Sequence, residues 1–477
     1  MKLFIKLHSI IGSILSIMFV IWFFSGIVLI FQGFPHASKK ERFLNLSQFN
    51  KENIQNIKSP STQFKGTTTL ELYLGKAIYR VKNGRKTEKI YDAYSLKSIN
   101  SFSKAQAKKL VLSFTKDPIK DISIEHDLNQ WIPWSYYEAL LPFYKFSIDD
   151  SKHTEIFISK KTGSIIQTTT RKKRLLSYIG AIPHWIYFVQ LRRYRDAWGW
   201  VVIVLASFGL ILSISGIIVG IYRKKEKGIT PYKKFWFKWH HWFGFFFGIF
   251  VFTFILSGLF SMFSIPNWMV GVNKHKITSI NWDQKSKIDT SNNVSPIEIW
   301  NALENKEGVR KIEWHTVFDN PSYFIYYNNY QAPVVYKKIN DTIIKTNNFT
   351  LNDIKQRANK LYPKLTATIS VQNEYDNYYS GSSMYYWPKP AYKIEFNDEK
   401  HTWLYINPAT GTLLKKYTKN SRLGRWIYSG LHTLNFQYLK EHNTLRIVIL
   451  IILCLLGLVI SISGLVLSKK FFTRRKK

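Results

Sequence analysis

The chain has 477 residues and a formal charge of +38, from 68 Lys and Arg against 30 Asp and Glu. A single compact domain of that length would be unusual. Its one cysteine, Cys454, excludes a disulfide framework, a thiol redox pair and a cysteine-ligated zinc or iron–sulfur site.

Four apolar runs set the class: Ile10–Phe34, Trp198–Tyr222, Trp242–Ile265 and Ile447–Leu467. Each has about the 20 residues needed to cross ~30 Å of hydrocarbon at ~1.5 Å per residue. None carries Asp, Glu, Lys or Arg in its middle. The first is too long for a signal-peptide core and lacks a small-residue cleavage site, so it reads as a retained anchor. Lys2 and Lys6, the basic run from Arg223-Lys224-Lys225 to Lys233-Lys234, and the tail from Lys469 to Lys477 all fall on one side. The positive-inside rule makes that side cytoplasmic, with 35–197 and 266–446 outside. Arg171–Arg174 and Arg192–Arg195 are basic yet outside. Long translocated loops escape the rule. Those charges read as attraction to anionic headgroups, or as a landing surface for an acidic ligand.

Within the first large segment, Ser103–Val111 reads as a helix, Tyr144–Phe146 as strand, and His153–Ile166 as a hairpin turning at Thr162-Gly163. The second repeats this order: Leu351–Ala358, Tyr392–Phe396, and His401–Leu414 turning at Thr410-Gly411. Each segment is therefore a small α+β unit. The Asn- and Lys-rich stretches Lys39–Lys58 and Ile277–Ser295 read as exposed loops.

The order repeats because the chain is duplicated. Adding 248 carries Lys152-His153-Thr154 onto Lys400-His401-Thr402, His184 onto His432, and Ser215-Gly216 onto Ser463-Gly464. Adding 232 carries His8 and Gly12 onto His240 and Gly244, and Ser25-Gly26 onto Ser257-Gly258. Self-similarity fixes architecture. It also picks four of the twelve histidines, each beside a span. His8 and His240 sit at the cytoplasmic start of a span; His184 and His432 precede spans that begin outside. A lone histidine there is ordinarily an interfacial residue. The Ser-Gly pairs read most simply as helix-packing contacts. His241 adjoins His240 and is an alternative to it, although the repeat aligns His8 with His240. His153 and His401 read as structural. No dinucleotide fingerprint, P-loop, nucleophile elbow or H-E-x-x-H is present.

Lys6-Leu7-His8 with Gly12, Trp239-His240-His241 with Gly244, Ile182-Pro183-His184-Trp185 with Tyr187, Leu431-His432, the Thr-Gly hairpins and the Ser-Gly pairs together resemble the PepSY-associated transmembrane family. The resemblance covers nearly the whole chain. It implies an α+β membrane protein: four transmembrane helices in a bundle with two periplasmic PepSY-like α+β domains, in the bacterial inner membrane. The expected order is 1–34 (N-terminus and helix), 35–197 (first outer domain with an interfacial helix), 198–222 (helix) and 223–238 (cytoplasmic loop). After it come 239–265 (helix), 266–446 (second outer domain), 447–468 (helix) and 469–477 (basic cytoplasmic tail).

The family includes proteins that carry two b-type haems and reduce ferric siderophores for iron uptake. By that resemblance His8 with His240, and His184 with His432, would each ligate one haem iron axially. Gly12 and Gly244, one helical turn beyond His8 and His240, would leave room for a macrocycle or a neighbouring helix. The expected function is electron transfer across the membrane to a periplasmic ferric siderophore, an oxidoreductase activity, with a cytoplasmic or quinol donor. Two alternatives are a non-enzymatic PepSY module that regulates an envelope protease or assists a transporter, and a haem-bearing subunit feeding a separate reductase. Membrane lipid is an expected partner and nucleic acid is not.

Overall fold

The computed structural model describes residues 1–84, 87–227, 230–271, 280–282, 293–380 and 387–474. Most of the loop expected over 277–295, and the tail residues 475–477, lie outside those described. Four helices are long and apolar enough to cross a membrane: Lys2–Phe31, Arg195–Lys224, Phe235–Phe260 and Asn443–Lys469, the first to fourth spans. Their lipid-facing sides expose large apolar residues such as Ile14, Ile17, Trp200 and Ile452. The protein is a multi-pass membrane protein of α+β class. The first and third helices begin several residues before their apolar runs, which places His8 and His240 on the spans themselves.

The first span packs on the second and fourth, and the third packs on the same two. Their shared core is Leu15, Phe19, Phe23, Val251, Ile255 and Cys454. Two repeat-related glycines allow this close packing. A Cβ on Gly209 would meet Phe19 at 3.1 Å, and one on Gly457 would meet Phe23 at 2.4 Å.

The two large segments lie on one side of the bundle, termed the outer side. The first contributes β1 (Thr67–Tyr73), β2 (Lys76–Asn83), β3 (Thr87–Asp92), β4 (Ser98–Ile99), β5 (Ile119–Glu125), β6 (Phe143–Ile148), β7 (Glu155–Ser159) and β8 (Ile165–Thr169). The second contributes β9 (Lys311–Val317), β10 (Asn320–Tyr326), β11 (Val334–Ile339), β12 (Thr342–Lys345), β13 (Ala367–Gln372), β14 (Ala391–Phe396), β15 (Trp403–Ile406) and β16 (Leu413–Tyr417). β5–β8 form one antiparallel sheet and β13–β16 another. Each is covered by its expected helix, Lys104–Phe114 or Leu351–Leu361, capped by Ser103 or Thr350. Ala107 and Val111 pack on the first sheet; Ile354 and Ala358 pack on the second.

Sequence reading did not anticipate the third sheet. It has eight strands in the order β12-β11-β10-β9-β1-β2-β3-β4, and β1 pairs with β9 across the halves. Thr68 opposes Trp314 and Leu70 opposes Ile312, so the duplicated units share one continuous ladder. Its apolar face buries Leu70, Tyr79, Ile312, Trp314 and Tyr323. The stretch Lys39–Lys58 is a correction: it is not an exposed loop. It forms helices Lys39–Leu44 and Lys51–Ile54, capped by Ser38 and Asn50. Phe43, Phe49, Ile54 and Ile57, interspersed among its Lys and Asn, are buried, and burial of those four side chains outweighs the polar composition.

The small sheets lead directly to the bundle. β8 runs into helix Arg171–Ile179 and then into the turn Ala181–Trp185, which carries His184. β16 runs into helix Lys419–Arg425, a π-helical turn Trp426–Gly430, and the turn Leu431–Thr433, which carries His432. Each lead-in helix is pinned to its sheet in the same way. Arg174 donates to the His153 carbonyl (2.9 Å) and Arg422 to the His401 carbonyl (2.7 Å). His153 and His401 hold left-handed turns, φ +47° and +45°. This matches the structural role read for them.

Candidate functional site

The structure brings the four predicted histidines together in two pairs. The rings of His8 and His240 have centroids 6.0 Å apart. Those of His184 and His432 are 6.2 Å apart. The first pair joins the first and third spans; the second joins two outer turns that pack back onto those spans. His241 points elsewhere, with Nε2 3.3 Å from the Gly220 carbonyl and its ring beside Phe245 and Tyr232. It does not pair with His8.

All four rings are held by one device. Nδ1 of His8 lies 3.2 Å from the Leu212 carbonyl, and that of His240 lies 3.2 Å from the Ile460 carbonyl. Nδ1 of His184 lies 3.1 Å from the Trp22 carbonyl, and that of His432 lies 3.2 Å from the Phe254 carbonyl. A carbonyl can only accept, so each Nδ1 carries the proton and each Nε2 keeps its lone pair. That is the tautomer suited to ligating a metal through Nε2, with the second nitrogen oriented by a backbone acceptor.

Each accepting carbonyl stands three residues before a Ser-Gly pair: Leu212 before Ser215-Gly216, Ile460 before Ser463-Gly464, Trp22 before Ser25-Gly26, and Phe254 before Ser257-Gly258. The glycine faces the ring. A Cβ there would meet the ring's Cε1 at 2.8 Å for Gly216 and His8, 3.4 Å for Gly464 and His240, 3.5 Å for Gly26 and His184, and 3.7 Å for Gly258 and His432. Three serines add a contact to Nδ1: Ser463 at 3.0 Å, Ser25 at 3.2 Å and Ser257 at 3.0 Å. Each of these hydroxyls donates to its own helix carbonyl, leaving a lone pair for the imidazole N–H. Ser215 donates to Leu212 alone.

The Ser-Gly pairs, read from sequence as packing contacts, are thus docks for the histidines. Gly12 and Gly244 do not face the rings in this way. A Cβ on Gly12 would meet only Leu212, at 3.4 Å, and one on Gly244 would meet nothing within 4 Å. The recurrence of a residue, two spacers, then Ser-Gly, four times at the repeat offsets, is the signal that could have revealed the docks.

The geometry fits a metal held between paired imidazoles. Two metal–nitrogen bonds of about 2 Å, plus about 1.1 Å from each nitrogen to its ring centre, put the centroids about 6 Å apart. Among the described residues, no group of three or more His, Cys, Asp or Glu could hold a metal ion. Each pair would supply two donors, a set that a metallated macrocycle would complete with its own. Along the first span, Trp22 lies 14 residues beyond His8; along the third, Phe254 lies 14 beyond His240. At ~1.5 Å per residue the two sites are ~21 Å apart, with the apolar core of Phe19, Phe23 and Ile255 between them.

Compared with known families, residues 5–295 match the PepSY-associated TM region, more than half of the chain. Residues 350–417, covering helix Leu351–Leu361 and β13–β16, match the peptidase propeptide and YPEB domain. No curated protein matches the chain.

Proposed function

The chain belongs to the PepSY-associated transmembrane family, and on that premise we propose that it is a di-haem b electron-transfer protein of the bacterial inner membrane. His8 and His240 would hold one haem, and His184 and His432 the other. The observation that carries this reading is the pairing of imidazoles, with ring centroids 6.0 and 6.2 Å apart, repeated near opposite ends of one bundle. When bound, haem supplies a one-electron Fe(III)/Fe(II) couple at each site.

The protein's own residues do the rest. The carbonyls of Leu212, Ile460, Trp22 and Phe254 fix the tautomer and the ring direction. Ser463, Ser25 and Ser257 share the Nδ1 proton and raise the ligand's basicity. Phe19, Phe23, Val251 and Ile255 keep the space between the sites apolar, which excludes water and lowers the local dielectric.

By the positive-inside rule the basic flanks favour an orientation with the His8/His240 site toward the cytoplasm and the outer units in the periplasm. Electrons would enter from a cytoplasmic or quinol donor and leave at the outer site. The acceptor we propose is Fe(III) in a siderophore, the substrate that the family resemblance implies. Its hard oxygen ligands favour Fe(III) over the softer Fe(II), so one-electron reduction would release iron.

The test uses full-length protein in vesicles with the outer units exposed, reduced by dithionite, and a ferric siderophore too large to cross the bilayer. Reoxidation of the α band by that chelate supports the reading. If ferricyanide reoxidises the protein but the siderophore does not, the acceptor assignment fails and a separate reductase is the partner. A folded protein without haem leaves the PepSY module without redox chemistry.

A further inference from the structure

The two outer docks match, but the segments that deliver their histidines do not. His184 follows Gly180, a plain break between two helices. His432 follows the π-helical turn Trp426–Gly430, a rare local geometry that recurs at functional sites. That turn lays Tyr428 on the His432 ring, with centroids 5.3 Å apart and planes 21° apart. The repeat partner of Tyr428 is Gly180, 248 residues earlier, so His184 has no counterpart to this stack. Among the described residues no other of the four imidazoles has an aromatic side chain stacked on its face.

Tyr428 differs in a second way. It is 37% exposed, whereas the carbonyl, serine and glycine residues of the four docks are buried or half-buried. Its hydroxyl has no hydrogen-bond partner among the described residues. A third difference lies in the pairs themselves: the imidazole planes are 44° apart at the inner site and 70° apart at the outer one.

We propose that Tyr428 is a positioning residue of the outer site: its stack fixes the plane of His432 and sets that histidine apart from His184 and from the unstacked inner pair. The carbonyl bond at Nδ1 sets where the ring points. A flat ring lying against its face restricts rotation about that direction. The relative plane of two axial imidazoles shapes the ligand field of a metal between them, a lever of the surroundings on the metal. In a duplicated protein the two histidines of one site begin equivalent, and a stack present on His432 but not on His184 separates them. This inference rests on the haem reading, but the stack does not.

The test compares wild type, Tyr428→Phe, which keeps the stack, and Tyr428→Leu, which removes it. In haem-free protein in micelles, the ring protons of His432, assigned by subtraction against His432→Gln, should move downfield in Tyr428→Leu and stay in place in Tyr428→Phe. In haem-loaded protein, one of two low-spin ferric electron paramagnetic resonance signals should shift in Tyr428→Leu, with the other unchanged and the haem count retained. Tyr428→Phe should keep both signals. Unchanged His432 resonances and unchanged signals in Tyr428→Leu would overturn the proposal while leaving the haem reading intact. A wild type that binds no haem would end the haem reading, and the histidine resonances would still decide the stack.

Discussion

Gly216→Ala isolates one dock. The added Cβ would sit 2.8 Å from Cε1 and 3.1 Å from Nδ1 of His8, closer than a carbon atom tolerates. The ring must retreat by about 0.6 Å to reach ordinary contact near 3.4 Å, beyond the ~0.5 Å within which a site holds its geometry. That retreat acts on a Nδ1–Leu212 bond already 3.2 Å long, and His8 lacks the serine contact that secures the other three rings. Loss of an orienting partner of a ligand histidine typically costs 10- to 100-fold in metal affinity, so the inner site should bind haem more weakly by about that factor and lose it during purification. Helix stability should not fall, because Gly→Ala inside a helix gains ~0.5–1 kcal/mol. The expected result is a folded protein with unchanged or raised thermal midpoint in the haem-free state and about one haem per chain instead of two. Pyridine haemochrome against protein concentration measures this. Gly258→Ala, whose Cβ would stand 3.7 Å from His432, should keep both haems. Two haems with unaltered spectra in Gly216→Ala would refute the claim that the glycine is a dock.

His8→Ala and His240→Ala should each lose the same haem, and the double variant should lose no more than either, because both serve one iron; His241→Ala should keep it, read by haem count. Glu313 lies among Lys311 (2.8 Å), His315 (3.2 Å) and Tyr326 (2.9 Å) on the shared sheet. Burial raises its pKa, but the Lys311 ammonium and the His315 bond outweigh this and hold it below the usual carboxylate range. A depressed carboxylate contributes stability above its unfolded pKa and loses it as pH falls through the folded one. Denaturant midpoints should therefore decline below about pH 4, and Glu313→Gln should cost about 3 kcal/mol at neutral pH by leaving Lys311 unpaired and should flatten that decline. A reporter fused after Lys227 should be active only as a cytoplasmic reporter; activity as a periplasmic one would invert the electron path.

The spans, the two hairpins, their covering helices and the four histidines were legible because each is local: a run of apolar residues, an alternation, a capped amphipathic segment, a repeat offset. The β1–β9 pairing was not. It joins Thr68 to Trp314, 246 residues apart, and neither strand's pattern names its neighbour. Lys39–Lys58 misled because its Lys and Asn dominate composition while the four residues that decide its burial are dispersed. The choice between His240 and His241 turns on helix rotation, which adjacent residues cannot report; only the repeat pointed to His240. Ser-Gly pairs look the same whether they receive a helix or an imidazole. Their role emerges only when the carbonyl three residues earlier is seen to meet a histidine from another helix.

The most direct measurement is the redox-poised spectrum of the purified full-length protein. The account predicts two b-type haems per chain, both low-spin and bis-histidine in the ferric state, with paired α and Soret bands on reduction. Loss of one set of bands should follow His8→Ala or His240→Ala, and loss of the other His184→Ala or His432→Ala. A correctly folded, colourless protein, or haem bands that persist when all four histidines are replaced, would contradict it.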